Sequence, residues 1–257
     1  MGAQVRVTVW QHASDLDPAV NQDALAGLEL PAGTDLLVLP EAFARDFGEP
    51  GSPLAPIAEP LDGPFVSAAR AKTEATGAAV VAGMFEQSSD PERPFNTLVL
   101  NQPGSLTTYR KIHLYDAFGQ RESDIVSAGA TEPVVAEVAG LQVGLMTCYD
   151  LRFPELGRAL SAAGAEVLVL PAAWVAGPGK VAQWQTLIRA RAIENVAWLV
   201  AAAQPGPRYC GHSAVIAPTG DVVAEAGEGE ELLTAEIDLD VVRAARERNP
   251  ALSLRRM

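Results

Sequence analysis

The sequence predicts an α/β layered fold, built as a sandwich of mixed sheets. Short β-like runs alternate with helix-like ones from end to end, the pattern of layered α/β domains. Leu36-Leu37-Val38-Leu39 and Val167-Leu168-Val169-Leu170 are unbroken apolar runs, as strands covered on both faces require. Residues 206–236 read differently, as strand–turn–strand, with Pro218-Thr219-Gly220-Asp221 as the hairpin turn between 214–217 and 222–224. A purely doubly wound parallel sheet therefore fits less well than mixed sheets.

In chain order, the first strand is the alternating Val5-Arg6-Val7-Thr8-Val9, followed by one at 35–39. A helix is expected over 64–75, with Pro64 in the first turn, where a missing N–H is harmless. Strands follow at 78–84 and 97–100, then a strand-like run Thr107-Thr108-Tyr109-Arg110, then strands at 134–138 and 142–146. Pro154 opens a helix over 154–163, and Gly164 fits its stop. A strand at 166–170, a helix over 181–195, a strand at 198–202, the hairpin, an acidic strand at 232–237 and a helix over 239–248 complete the chain. No internal repeat or low-complexity linker divides it. The expectation is one domain over 1–257, with a core from about 4 to 240 and a C-terminal tail over 241–257.

Composition narrows the function. The chain has 257 residues, 48% of them hydrophobic, enough for a large core. Its formal net charge of −13 and the lack of a basic stripe argue against a nucleic-acid partner. An anionic substrate would need a basic pocket set against that general field. Two cysteines, Cys148 and Cys210, are too few for a disulfide scaffold and read as reduced thiols of a cytoplasmic protein. The N-terminus runs straight into a strand without a signal-peptide pattern, and no apolar stretch reaches the ~18 residues of a membrane span. The chain has three scattered histidines and shows no His-Glu-x-x-His, Cys-x-x-Cys or phosphate loop. Gly-x-Ser-x-Gly is also missing, which weakens a serine-hydrolase reading.

Three reactive side chains each follow a strand-like run: Glu41 after 36–39, Lys111 after 107–110 and Cys148 after 142–146. In α/β folds ligands gather at the carboxyl ends of strands, so these groups can meet there. A thiol is a weak nucleophile until its proton leaves or a cation stabilises the thiolate. Glu41 would take that proton and later activate water. Lys111 would stabilise thiolate and oxyanion, with the Tyr149 backbone N–H as a second oxyanion donor. Each residue also has a plain structural reading. Cys148 can be a small core residue, Glu41 a charge at a helix start, and Lys111 one of a solvated pair with Arg110. Taken singly, none carries a functional claim.

The words around them do. Leu39-Pro40-Glu41, Tyr109-Arg110-Lys111-Ile112-His113-Leu114 and Cys148-Tyr149-Asp150-Leu151-Arg152-Phe153-Pro154-Glu155 resemble, in order and separation, the motifs of the nitrilase superfamily of carbon–nitrogen hydrolases. Gly119-Gln120-Arg121-Glu122-Ser123, Gln183-Trp184, Arg189-Ala190-Arg191-Ala192-Ile193-Glu194-Asn195 and Gly211-His212-Ser213 extend the likeness over nearly the whole chain. The resemblance implies a four-layer αββα sandwich, a homodimer or higher homo-oligomer, and no cofactor. It implies a Glu41–Lys111–Cys148 triad, with Glu122 as a supporting glutamate. The implied reaction is amide cleavage through a Cys148 thioester.

Tyr149-Asp150 after the cysteine, where true nitrilases usually carry Trp-Glu, resembles the branch holding deaminated-glutathione amidase and ω-amidase. That branch implies a small-molecule amide that carries a carboxylate. Arg121 and Arg152 are the candidate carboxylate ligands, Arg152 having a structural ion pair with Asp150, Glu155 or another acid as its alternative. Trp174 either walls the pocket or packs on the helix at 181–195. His113 reads as a structural histidine, His212 as a pocket or carbonyl-bonding one, and Cys210 as incidental. Specificity is expected in Ala44-Arg45-Asp46-Phe47-Gly48 and in the loop at 175–180. Rival readings are an N-carbamoyl acid amidohydrolase, another aliphatic amidase, a nitrilase and a non-catalytic binding protein.

Overall fold

The computed structural model describes residues 4–256. Within them, two six-stranded sheets stack face to face between two pairs of helices. The first sheet holds β1 (Gln4–Gln11), β2 (Leu36–Val38), β3 (Ala79–Glu86), β4 (Phe95–Gln102) and β5 (Ser105–Arg110). The second holds β6 (Val135–Val138), β7 (Leu141–Leu145), β8 (Val167–Ala172), β9 (Trp198–Ala203), β10 (Ala214–Ile216) and β11 (Val222–Glu225). The last strand, β12 (Glu231–Asp238), returns to the first sheet beside β1. The orders are β12-β1-β2-β3-β4-β5 and β11-β10-β9-β8-β7-β6. Each sheet has three parallel strands at its centre, β1-β2-β3 and β7-β8-β9, with antiparallel strands on the flanks. The mixed-sheet sandwich expected from the sequence is thus the observed one.

The unbroken apolar runs have a direct cause. Leu36 and Val38 face the core between the sheets, where they meet Val143, Leu145 and Val169. Leu37 and Leu39 face the other way, against Leu25 of α1 (Pro18–Gly27) and Phe65, Val66 and Ala69 of α2 (Pro64–Thr76). On the far side, α3 (Pro154–Ala162) and α4 (Lys180–Asn195) press Leu156, Leu160, Trp184 and Ile188 onto the second sheet. A strand buried on both faces has no polar face to show, so period-2 alternation vanishes from its sequence.

Two elements stand apart from the sequence reading. Helix α1 carries no clear sequence signal, because only Asn21 and Leu25 are buried on it and its apolar stripe is one residue wide. The boundary placed at 240 falls inside α5 (Leu239–Arg248), whose Leu239 and Val242 are buried in the main core. The tail proper begins after that helix. No helix among the described residues is long and apolar enough to cross a membrane.

Candidate active site

The central parallel strands of both sheets end at one rim of the sandwich, and the reactive side chains stand there. Glu41 follows β2 on a sharp turn in which Ala42 adopts φ 55°. That turn lies against the backbone of β3 at Gly83. A Cβ there would come within 2.5 Å of the Ala42 nitrogen and 2.8 Å of the Glu41 Cα, so only glycine fits. Lys111 directly follows β5. Its N–H donates to the Asn96 carbonyl at 2.8 Å, and its carbonyl accepts from Gly129 N–H at 2.9 Å. Gly129 is again a position where a Cβ would collide with backbone, here the Arg110 carbonyl.

Cys148 opens a five-residue 3-10 turn, Cys148–Arg152, just past β7. It sits in the left-handed region at φ 45°, a conformation that costs about 1–3 kcal/mol in a residue other than glycine. The turn is held from below by Asp150, which is fully buried. Its Oδ2 accepts from Thr147 N–H at 2.8 Å and from the Tyr109 hydroxyl at 2.6 Å. Its Oδ1 accepts from His113 N–H at 3.1 Å and faces His113 Nδ1 at 2.7 Å.

The three predicted groups converge. Lys111 Nζ donates to Glu41 Oε1 at 2.9 Å and to Glu122 Oε2 at 2.9 Å and Oε1 at 3.1 Å. Glu41 Oε2 accepts from Ala173 N–H at 2.7 Å, beyond the end of β8. Glu122 Oε2 accepts from Tyr115 N–H at 2.6 Å. All three side chains are at most 7% exposed. Burial alone would drive the Lys111 pKa down, but the charges around it, Glu122 and Glu41 first, hold it well above the ordinary lysine value. The ammonium is therefore a fixed charge. The Cys148 thiol moves upward, first because it is buried, then because Glu41 stands beside it; Lys111 opposes the shift without cancelling it. At rest this cysteine is a thiol.

Asn96 on β4 is a residue of the catalytic cluster that sequence reading missed. Its Nδ2 donates to Glu41 Oε1 at 2.8 Å and to Glu122 Oε1 at 3.2 Å. Lys111 bonds the same two oxygens, so Lys111, Glu41, Asn96 and Glu122 close a four-membered ring of hydrogen bonds. A single Asn in a strand gives no sequence signal for such a role.

Glu41, Lys111, Glu122 and Cys148 line a cavity of about 550 Å³. Trp174 is on its wall and also tilts against Trp184 of α4 at 5.5 Å. Tyr149 lines the cavity beside Cys148, and its backbone N–H has no partner among the described residues. Arg152 faces the cavity too, and among the described residues it forms no ion pair of the kind offered as its alternative. Asp150 is taken by Tyr109 and His113, and the Arg152 guanidinium instead donates to Gln183 Oε1 at 2.7 Å. Arg121 is on the rim, 71% exposed and 3.4 Å from Asp124, a looser position than a carboxylate ligand needs.

Both expected specificity segments reach the wall, through Phe47 and Gly48 and through Val175 and Lys180, joined by Tyr115, Arg208 and Tyr209. His113 is structural as expected, stacked on Phe153 at 3.8 Å. His212 takes neither expected role, since its Nδ1 stands 3.5 Å from Glu225, away from the cavity. Cys210 is buried, with its pKa pushed up to about 12 by that burial. Among the described residues no cluster of His, Cys, Asp and Glu is arranged to hold a metal ion.

Known proteins share this architecture. The carbon-nitrogen hydrolase profile matches residues 6–247. A hydrolase of Mycobacterium tuberculosis is 42% identical over 265 residues, covering 95% of this chain and 93% of its own. The deaminated glutathione amidase of Escherichia coli O157:H7 is 41% identical over 222 residues, covering 86% and 84%. A solved Xanthomonas campestris structure, a CN-hydrolase superfamily protein with an arsenic adduct in its active site, superposes with a TM-score of 0.86 at 31% identity. That superposition covers 98% of this chain and 97% of that one. The chain belongs to the carbon-nitrogen hydrolase family of the nitrilase superfamily, whose amidases hydrolyse C–N bonds other than peptide bonds, and it is such a hydrolase.

Proposed function

We propose that this chain is a thiol amidase that cleaves a small, carboxylate-bearing ω-amide of the deaminated-glutathione or 2-oxoglutaramate type, with Cys148 as nucleophile. The observation that carries the reading is the buried Lys111 ammonium held between Glu41 and Glu122 beside the Cys148 thiol.

The geometry suggests the order of events. Because the resting sulfur is protonated, Glu41 takes the Sγ proton as sulfur attacks the amide carbon. The carbonyl oxygen becomes an oxyanion, met by the Lys111 ammonium and the Tyr149 N–H. Glu41 then passes its proton to the leaving nitrogen, the C–N bond breaks, and a thioester remains on Cys148. Water replaces the amine. Glu41 takes a proton from that water as it attacks the thioester, the C–S bond breaks, and the proton returns to sulfur as the acid leaves. Lys111 keeps its proton throughout, consistent with its raised pKa. Glu122 fixes Lys111 through two oxygens and takes no part in proton transfer.

The carboxylate requirement rests on Arg152, a guanidinium with no acid partner among the described residues, in the cavity of a chain of net charge −13. The relationship to deaminated glutathione amidases at about 40% identity supports the substrate type. The proposal extends to a cytoplasmic homodimer built through α3 and α4, for which light scattering should give twice the chain mass.

The test is to incubate the protein separately with 2-oxoglutaramate and deaminated glutathione and follow 2-oxoglutarate, the acid released from both. Turnover of either supports the proposal, and preference for deaminated glutathione marks a cavity open to the cysteinylglycine leaving group. Silence on both, with Cys148 still alkylated by iodoacetamide, removes the substrate assignment.

A further inference from the structure

Lys180, the first residue of α4, has an arrangement the reaction above does not use. Its Nζ lies 3.9 Å from the centre of the Phe118 ring and 5.6 Å from that of Trp174. The Arg152 guanidinium lies over the same two rings, at 5.7 and 4.8 Å. Two cations thus share two aromatic faces, and both cations and Trp174 line the cavity. Neither forms an ion pair with an acid among the described residues. Among the described residues Lys180 Nζ has one polar contact, the Tyr115 hydroxyl at 3.3 Å. On Arg152, one terminal nitrogen is used by Gln183, while Nε is buried without a partner.

Like charges held together without a counter-ion are unfavourable, and here the neighbours are π-faces, which attract each cation but neutralise neither. The Lys180 pKa is lowered, first by burial and then by Arg152, so the repulsion is felt. An anion entering between the two removes that repulsion and gains two charge-assisted hydrogen bonds.

We propose that Lys180 and Arg152 form one clamp for a carboxylate on the acyl part of the substrate. Cys148 and Arg152 open and close one five-residue turn and line the same cavity, so an acyl group bonded to that sulfur enters the space Arg152 faces. The substrate class is therefore an amide whose acyl half ends in a carboxylate, and Lys180 is a specificity-determining residue. This rests on the amidase reading, but the clamp can be tested without turnover.

The experiment is calorimetric binding of 2-oxoglutarate, the acyl product, to C148A, C148A/K180M, C148A/R152M and C148A/K180R. Loss of a charged hydrogen bond predicts that K180M and R152M each weaken binding by about tenfold or more, while K180R keeps most of it. Binding of neutral pentanamide to C148A/K180M is expected to match its binding to C148A. Equal 2-oxoglutarate binding in C148A and C148A/K180M, or none at millimolar ligand, overturns the clamp. Equal weakening for pentanamide overturns it as well, because that marks a loss of pocket shape. Wild-type turnover of 2-oxoglutaramate, measured alongside, separates the two failures. Turnover that K180M leaves intact sinks the clamp and keeps the amidase, whereas Lys180-dependent binding without turnover keeps the clamp and sinks the substrate.

Discussion

The Tyr109 hydroxyl donates to Asp150 Oδ2 at 2.6 Å, and this bond crosses from one sheet to the other. Tyr109 is on β5, two residues before Lys111, and Asp150 is on the turn that begins with Cys148. The distance between nucleophile and ammonium is therefore set partly by a bond outside the cavity. Asp150 is wholly buried, and its charge is compensated by Tyr109, Thr147 N–H and His113.

Tyr109→Phe removes one of those donors and leaves the acid short of a partner. Bonds to buried charges of this kind are worth about 1.5–3 kcal/mol, so the variant should unfold at lower urea with an unchanged m-value. The Cys148 turn should also loosen, lowering kcat more than it raises KM. An unchanged urea midpoint would show that the bond positions nothing.

Cys148 should not behave as a preformed thiolate. Its pKa is raised, so the folded protein keeps the sulfur protonated at a pH where the unfolded chain has released the proton. Its alkylation by iodoacetamide should climb with pH through 9 without a plateau. Relative to Cys148→Ala, wild-type stability should be level below the unfolded thiol pKa of about 8.5, then fall as pH rises toward the folded pKa, because the native state then binds more protons than the unfolded one. A plateau in alkylation below pH 8 would contradict this. Cys148→Ala itself should fold normally and lose at least about 10³-fold in activity, as nucleophile deletions do.

The ring through Asn96 predicts an inverted order of variants. Asn96→Ala frees one side of both Glu41 and Glu122 and should lower kcat by roughly 10- to 100-fold through misplacement of the base, with KM little changed. Asn96→Asp has nearly the same shape yet puts a third carboxylate against Glu41 and Glu122. It should be the worse enzyme, with partial recovery at acid pH once that carboxylate is protonated. If the isosteric variant outperforms the truncation, shape matters there and the donated hydrogen bonds do not. Lys111→Met is a harsher test. It strands two buried carboxylates and should destabilise the fold by about 3–5 kcal/mol, measured by urea denaturation.

Legibility in the sequence follows from how local each signal is. The strands at the sheet centres were readable because residues such as Leu36 to Leu39 are apolar on both faces, and the loop residues Glu41, Lys111 and Cys148 because each sits inside a distinctive word. Asn96, Arg208 and Tyr209 were not, since their partners lie 26 to 163 residues away in sequence, and Lys180 was legible only as part of the loop at 175–180, without the rings that folding brings to it. Arg152 shows the limit most directly. Its position beside Asp150 in sequence suggested an ion pair, yet the turn sends Asp150 inward to Tyr109 and leaves Arg152 facing the cavity. The thin apolar face of α1 was hidden for a different reason: its Asn21 is buried by bonds to the Asp15 and Ala44 carbonyls, which periodicity cannot see.

Gly83 offers a test of backbone placement that touches no reacting group. A methyl there would lie 2.5 Å from the Ala42 nitrogen and 2.8 Å from the Glu41 Cα, and these are backbone atoms that cannot rotate away. The Glu41 turn must then shift by several tenths of an ångström, disturbing its bonds to Lys111, Asn96 and Ala173 together. Gly83→Ala should lower kcat by about 10²-fold, as small misplacements of a reacting group do. Overpacking of this sort also costs about 1–3 kcal/mol of stability. Gly27, at the end of α1, has nothing within 4 Å of its would-be Cβ. There the same substitution should leave kcat alone and stabilise the fold by about 0.4–1 kcal/mol, through lost freedom in the unfolded chain. Steady-state kinetics and urea midpoints on the two variants read this contrast directly. A Gly83→Ala enzyme with wild-type kcat would mean that the Glu41 turn is not fixed by its contact with β3, and the base would have to be held by its hydrogen bonds alone.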